Sequence, residues 1–167
     1  MTKHLNRSVF SGLLFSRVVT SRMTLLARPV STIWKMPEPY DLFEYTSGRW
    51  IYNDRLRYRE RRRVFNVSGL KRLAALAIQQ NGDDVIGFEK LAEGGFNRSF
   101  LITMRDGFRF VARILYPVTE PKSLVVVSEV VMMDFLRAHG IPVPKVFGYS
   151  ADVDNSAGTE YIFMELV

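Results

Sequence analysis

The ten residues Leu91-Ala92-Glu93-Gly94-Gly95-Phe96-Asn97-Arg98-Ser99-Phe100 carry the clearest chemical signal in the chain. Adjacent glycines between two strand-like runs let the backbone approach a ligand closely. They also leave successive N–H groups facing outward, a concave partial positive charge suited to an anion such as a nucleotide phosphate. The same pair is ordinary hairpin-turn chemistry, so the two readings separate only on what stands downstream. In the apolar run Phe108 to Leu115 the faces alternate: Arg109, Val111 and Arg113 share one side, and Phe108, Phe110, Ala112 and Ile114 the other. With the first side toward the glycine loop, Val111 caps a flat aromatic base and Arg113 offers phosphates a planar fork of donors. Turned away, Arg113 is a rim arginine in water. Further on, Val126, Glu129, Met133 and Leu136 recur at helical spacing, which sets a carboxylate among apolar neighbours. A buried carboxylate needs a cation, and Arg113 is the obvious one. That segment is apolar nearly all round, through Val125, Val127, Val130, Val131 and Met132, so periodicity alone leaves Glu129 as a surface residue open.

The elements that must position these residues follow from pattern and turn chemistry. Strands are predicted over 85–92 and 99–104, and an Arg105-Asp106-Gly107 turn leads into a third over 108–115, making an antiparallel succession. A helix is expected from about Ser123 to His139, with Gly140 as its terminator. Pro142 and Pro144 then introduce a short strand over 146–149, and a final strand runs over 159–167 after a polar turn at 152–158. Upstream, Asn66 is a helix cap before Val67, Leu70, Leu73, Ala74 and Ala77, and Gly82 is the expected stop.

Composition narrows the function classes. The chain has 167 residues, no cysteine and two histidines, His4 and His139, which excludes disulfides, cysteine zinc sites and an imidazole cluster. The first 37 residues hold six basic side chains and no acid, so the seventeen basic and seventeen acidic side chains from Glu38 onward balance. The net charge of +6 therefore belongs to the leader, against a nucleic-acid binder as a whole; no DNA partner is expected. The leader is Arg-rich, hydroxyl-rich and acid-free, and Leu5, Val9 and Leu13 stack on one helical side, the pattern of a mitochondrial transit peptide. A secretory signal would need Val9 to Phe15 as its apolar core, which Arg17 interrupts. No apolar run reaches the roughly 20 residues that span a bilayer, so no membrane span is expected.

Between leader and strands, Tyr40 to Asn53 is rich in aromatics, and Asp54 to Arg63 carries Arg55, Arg57, Arg59, Arg61, Arg62 and Arg63 around Tyr58. Arginines interleaved with an aromatic can grip RNA. A solvated face, or a surface docking acids of the same protein, is the plainer reading.

Together, Tyr45-Thr-Ser-Gly-Arg-Trp50, the glycine loop, Val111-Ala-Arg-Ile114, Ser128-Glu129 with Met133-Asp-Phe135, Gly140-Ile-Pro-Val-Pro-Lys-Val146 and Gly158-Thr-Glu-Tyr-Ile-Phe-Met-Glu165 resemble the aminoglycoside phosphotransferase-like kinases, within them a fungal mitochondrial branch. The resemblance runs from about Tyr45 to Val167. It implies an α+β fold, a kinase-like small lobe of five antiparallel strands and one main helix, preceded by a disordered or helical leader and a helical extension. The implied divisions are a transit peptide over 1–36, an aromatic and Arg-rich extension with a helix over 37–82, and the lobe over 83–167. Gly94, Gly95, Phe96, Asn97, Arg98 and Ser99 become the nucleotide-positioning loop. Arg113 takes the place of a phosphate-anchoring lysine with Glu129 as its helix partner, and Met164 to Val167, with Glu165 and Val167, approach the hinge for adenine. ATP is the implied cofactor, with magnesium in the full-length family. Arg113 is bulkier than lysine and never deprotonates, which alters phosphate geometry. The family's catalytic base and magnesium aspartate lie in a following helical lobe, beyond Val167, so the expectation is a truncated phosphotransferase with no catalytic or metal-binding residue of its own. Its expected partners are a nucleotide and a separate carboxy-terminal lobe or another protein chain. A non-catalytic nucleotide- or partner-binding regulatory module is the alternative.

Overall fold

The computed structural model describes residues 42–167, and the expected transit peptide lies outside them. Five antiparallel strands form one sheet in the order β1-β2-β3-β5-β4: β1 Val85–Glu93, β2 Asn97–Met104, β3 Arg109–Leu115, β4 Val146–Ser150 and β5 Tyr161–Glu165. Three helices accompany it: α1 Asp54–Arg61, α2 Val67–Ala77 and α3 Lys122–Ala138. None of the described helices is long and apolar enough to cross a membrane.

Alternation along the strands divides the sheet into two faces with separate cores. On one face Phe100, Ile102, Met104, Phe110, Ala112, Ile114 and Phe163 pack with Phe65, Leu70, Ala74 and Ala75, and Leu42 and Phe43 close the edge. This core joins residues on both sides of position 83. On the other face Val111, Leu115, Ile162 and Met164 pack against Val126 and Val130 of α3. The cross-strand row Leu101, Val111, Met164, Val146 belongs to this second face, as does its neighbour Ser99, Arg113, Ile162.

Local chemistry explains the helix boundaries. The Asn66 side chain accepts the Gly69 N–H at 3.0 Å, capping α2. Gly69 is obligatory for packing, since a Cβ there would lie 1.9 Å from the Ser156 carbonyl oxygen. Gly82 does not end the helix as expected. The α2 segment stops at Ala77, Gln79 takes a φ of 60°, and Gly82 opens a 3-10 turn with its Cα against Arg72. Gly140 does follow α3 with the left-handed φ of 78° that terminates such a helix. The charge run becomes α1, which has no buried residue. It is held from outside: the Arg61 guanidinium lies 4.6 Å from the Trp50 ring centre, and the Tyr58 hydroxyl donates to the Gly48 carbonyl at 2.9 Å.

Candidate functional site

The glycine hairpin is shaped by its neighbours rather than by unusual dihedrals. Neither Gly94 nor Gly95 adopts positive φ, so here glycine supplies room, and a Cβ at Gly95 would meet nothing within 4 Å. The Gly94 N–H closes onto the Asn97 carbonyl at 2.8 Å. Past the tip, the Phe96 carbonyl accepts from the Tyr116 N–H at 2.9 Å and from the Thr119 hydroxyl at 2.7 Å. Among the described residues the N–H groups of Gly95 and Phe96 have no acceptor, and the Phe96 ring stands exposed at the tip. Two successive unsatisfied amides beside an exposed aromatic are chemically suited to an anion.

One strand away, Arg113 pairs in register with Ser99 and shares its face. Its Nη1 donates to Glu129 Oε1 from α3, so the structure brings together the two residues that sequence pattern left unassigned to a face. The pair is partly open, with side chains 29% and 26% exposed. Burial pulls the Arg113 guanidinium below its ordinary pKa, and its Nε is buried without a partner. Val111, one row along, is buried in the core beneath α3, beside Met164. Arg113 with Glu129, and the buried Val111 and Met164, thus stand on the face of Ser99, and the amides of Gly95 and Phe96 lie at the tip of the hairpin that leads into that strand.

Other expected site residues sit differently. Arg98 belongs to the opposite face, 2% exposed, with Nε 3.0 Å from Glu93 Oε1 and Nη1 donating to the Leu42 carbonyl at 2.5 Å. Strand alternation turns its guanidinium away from Arg113, so toward a loop ligand it contributes backbone only. The Glu165 carboxylate accepts the Lys145 N–H at 3.1 Å and faces Arg137 at 3.8 Å, while Val167 is fully exposed. Both line an open cleft of about 350 Å³ with Pro142, Val143, Pro144 and Leu166. A second cleft of about 420 Å³ lies near the start of β3, lined by Ala77, Phe108 and Phe147 among others, and Arg113 takes no part in it. Among the described residues no three His, Asp or Glu side chains gather as a metal site.

Sequence reasoning missed the support under the hairpin. Glu93, immediately before Gly94, accepts from the Thr46 N–H at 2.7 Å, the Thr46 hydroxyl at 3.1 Å and Lys90 Nζ at 3.1 Å. Burial alone would raise its pKa, but these donors and the Arg98 charge outweigh it and hold the carboxyl below its usual range. Lys90 also donates to the Glu44 carbonyl at 3.1 Å and the Thr46 hydroxyl at 3.0 Å. The segment 42–50 is thus strapped to the base of the loop. The one available signal was the spacing of a Glu three residues after a Lys and five before an Arg.

The arginine run mostly serves the fold. Arg57 meets Glu60 at 3.0 Å, Arg62 meets Glu44 at 2.8 Å and Arg63 meets Glu160 at 2.5 Å, while Arg61 lies on Trp50. These are the acids of the same protein, as the plainer reading expected.

Comparison with known proteins adds names to this geometry. A subtelomeric hrmA-associated cluster protein of Aspergillus fumigatus is 49% identical over 79 residues, covering 47% of this chain and 16% of that protein. In Candida tropicalis the relative is 28% identical over 163 residues, 80% of this chain and 26% of its own length. In Yarrowia lipolytica it is 30% identical over 138 residues, 74% and 24%. Both are named altered inheritance of mitochondria protein 9, mitochondrial. The chain is similar to altered inheritance of mitochondria protein 9. It spans between 16% and 31% of the length of the curated relatives it matches. No family model matches it, and no solved structure does.

Proposed function

We propose that this chain is the nucleotide-binding small lobe of a mitochondrial, kinase-like phosphotransferase of the aminoglycoside phosphotransferase type, with ATP as its ligand. One observation carries the reading: Arg113, held by Glu129, stands on the sheet face shared with Ser99, one strand from a hairpin whose Gly95 and Phe96 amides have no acceptor among the described residues. In this reading the free amides and the Arg113 fork receive phosphate oxygens, Phe96 shields them from water, and Val111 with Met164 floors the base. Glu129 fixes the rotamer of Arg113 so that its remaining donors stay directed. ATP would supply the phosphoryl group. Transfer also needs a base to position the acceptor hydroxyl and a metal to neutralise the γ-phosphate, roles assigned to chain outside the described residues. The mitochondrial setting follows the names of several relatives.

Melting the chain in increasing ATP, with and without magnesium, tests this. A ligand that binds only the folded state raises its melting temperature. The expected result is a rise for the wild type that is absent in Arg113→Met. Identical melting across millimolar ATP in both conditions would overturn the proposal.

A further inference from the structure

The segment between the strap and α1 presents a feature that the nucleotide reading does not use. Ile51 and Tyr52 are adjacent and almost wholly in water, at 109% and 79% exposure. They are not loosely held. Trp50 behind them packs 4.9 Å from the Tyr45 ring and 5.6 Å from Tyr58, and its backbone N–H donates to Asp54 Oδ1 at 2.8 Å. After them Asn53 turns the chain at a φ of 56°, a left-handed conformation that asparagine tolerates best among side-chain-bearing residues. A β-branched and an aromatic side chain are therefore projected outward from a braced turn, at a cost in apolar hydration that nothing within the fold recovers.

The surroundings of this tip are cationic. Arg49 is 84% exposed, and Arg55 and Arg59 are exposed one turn apart on α1. Leu56, also exposed, continues the apolar surface between them. Arg55, Leu56 and Arg59 line an open cleft of about 450 Å³ with Asn53 and Asp54. The carboxylate here, Asp54, is engaged by the Trp50 N–H and lies 3.6 Å from Arg49. In contrast with Arg57, Arg61, Arg62 and Arg63, neither Arg55 nor Arg59 has an acidic side-chain partner among the described residues.

We infer that Ile51 and Tyr52, ringed by Arg49, Arg55 and Arg59, dock this protein on the surface of an anionic phospholipid bilayer. A convex apolar tip needs no matching groove in a fluid interface. Ile51 enters the acyl boundary, Tyr52 sits at headgroup level with its hydroxyl wet, and the arginines meet lipid phosphates. An RNA site would place its aromatic where a base can stack between cations. Here Tyr52 shares the tip with an aliphatic residue that gains nothing from a base, so lipid is favoured.

The chain has no cysteine, so Ile51→Cys in the full chain carries a single polarity-sensitive dye. Val153→Cys, on the turn between β4 and β5, is an exposed control. With vesicles of phosphatidylcholine and phosphatidylglycerol the dye at position 51 should shift to the blue, and the dye at 153 should not. Vesicles of phosphatidylcholine alone should give no shift, and added salt should weaken it. In co-sedimentation, the double substitution Ile51→Ser, Tyr52→Ser should lower partitioning roughly tenfold while the basic leader stays unchanged. A dye at position 51 indifferent to anionic vesicles, equal shifts at 51 and 153, or a shift produced by RNA and not by vesicles would each overturn the inference.

Discussion

Arg98 and Arg113 stand on neighbouring strands, one register row apart, and each pairs with a glutamate. Their environments are opposite. Arg98 is 2% exposed, covered by the strap, with its guanidinium 5.4 Å from the Tyr116 ring centre and Glu93 buried beside it. Arg113 is partly open, 29% exposed beside a carboxylate that is 26% exposed, although each guanidinium keeps a buried Nε without a hydrogen-bond partner. What differs is the cover on each face, not the ion-pair chemistry. A covered Arg–Glu pair can only fix the arrangement of the chain, whereas a partly exposed one can be reached by something that arrives later.

That contrast can be broken first at Arg98. Arg98→Ala leaves the Glu93 carboxylate buried with Lys90 as its remaining cation and should cost roughly 3–5 kcal/mol, read from urea unfolding. Wild-type stability would erase the distinction. The buried side also has a pH signature. Burial pushes the Tyr116 hydroxyl up to about 12 from 10.0. Because the folded state favours its protonated form, that contribution is complete below pH 10 and should fade between pH 10 and 12. Its magnitude is on the order of 2 kcal/mol, absent in Tyr116→Phe. Glu93 acts in the other direction. Its depressed carboxyl adds stability that is present above the unfolded value of 4.5 and is lost on further acidification, a loss that Glu93→Gln should flatten. Thr46→Val, which removes a hydroxyl from the strap, should cost about 1 kcal/mol by thermal melting. The smallest stability change should be at the open pair: Arg113→Ala, about 1 kcal/mol or less, yet it should abolish the ATP-dependent rise in melting temperature. A large destabilisation there would make Arg113 a second structural arginine.

The strands were legible because alternation and turn chemistry agree locally, as at Asp106, whose carboxylate accepts the Phe108 N–H at 2.9 Å across the Gly107 turn. Helix α2 was legible through its Asn66 cap and apolar spacing. Helix α1 was not: six arginines between 55 and 63 mask any apolar period, and its outside contacts include Arg61 and Tyr58 against Trp50 and Tyr58 to the Gly48 carbonyl. The Arg113–Glu129 pair was half legible, since spacing suggested the partners but an all-apolar α3 could not fix which side faces the sheet. The side of the sheet that Arg98 faces was not legible, because a motif names positions in a loop, whereas strand parity decides which way each side chain points. Glu93 was only partly legible: Lys90 and Arg98 stand three and five residues away, but Thr46 lies 47 residues upstream.

Those separations bear on how the molecule is built. The strap is the first described segment to leave the ribosome, but its ties span 46, 47 and 56 positions, to Lys90, Glu93 and Arg98. The β1–β2 hairpin can zip locally; the strap's ties to it wait until Lys90, Glu93 and Arg98 are displayed, and the Arg63 tie waits for Glu160. The strap can therefore latch as soon as β1 and β2 have paired, before β5 joins the sheet, and the Trp50 fluorescence change on refolding should follow formation of that hairpin.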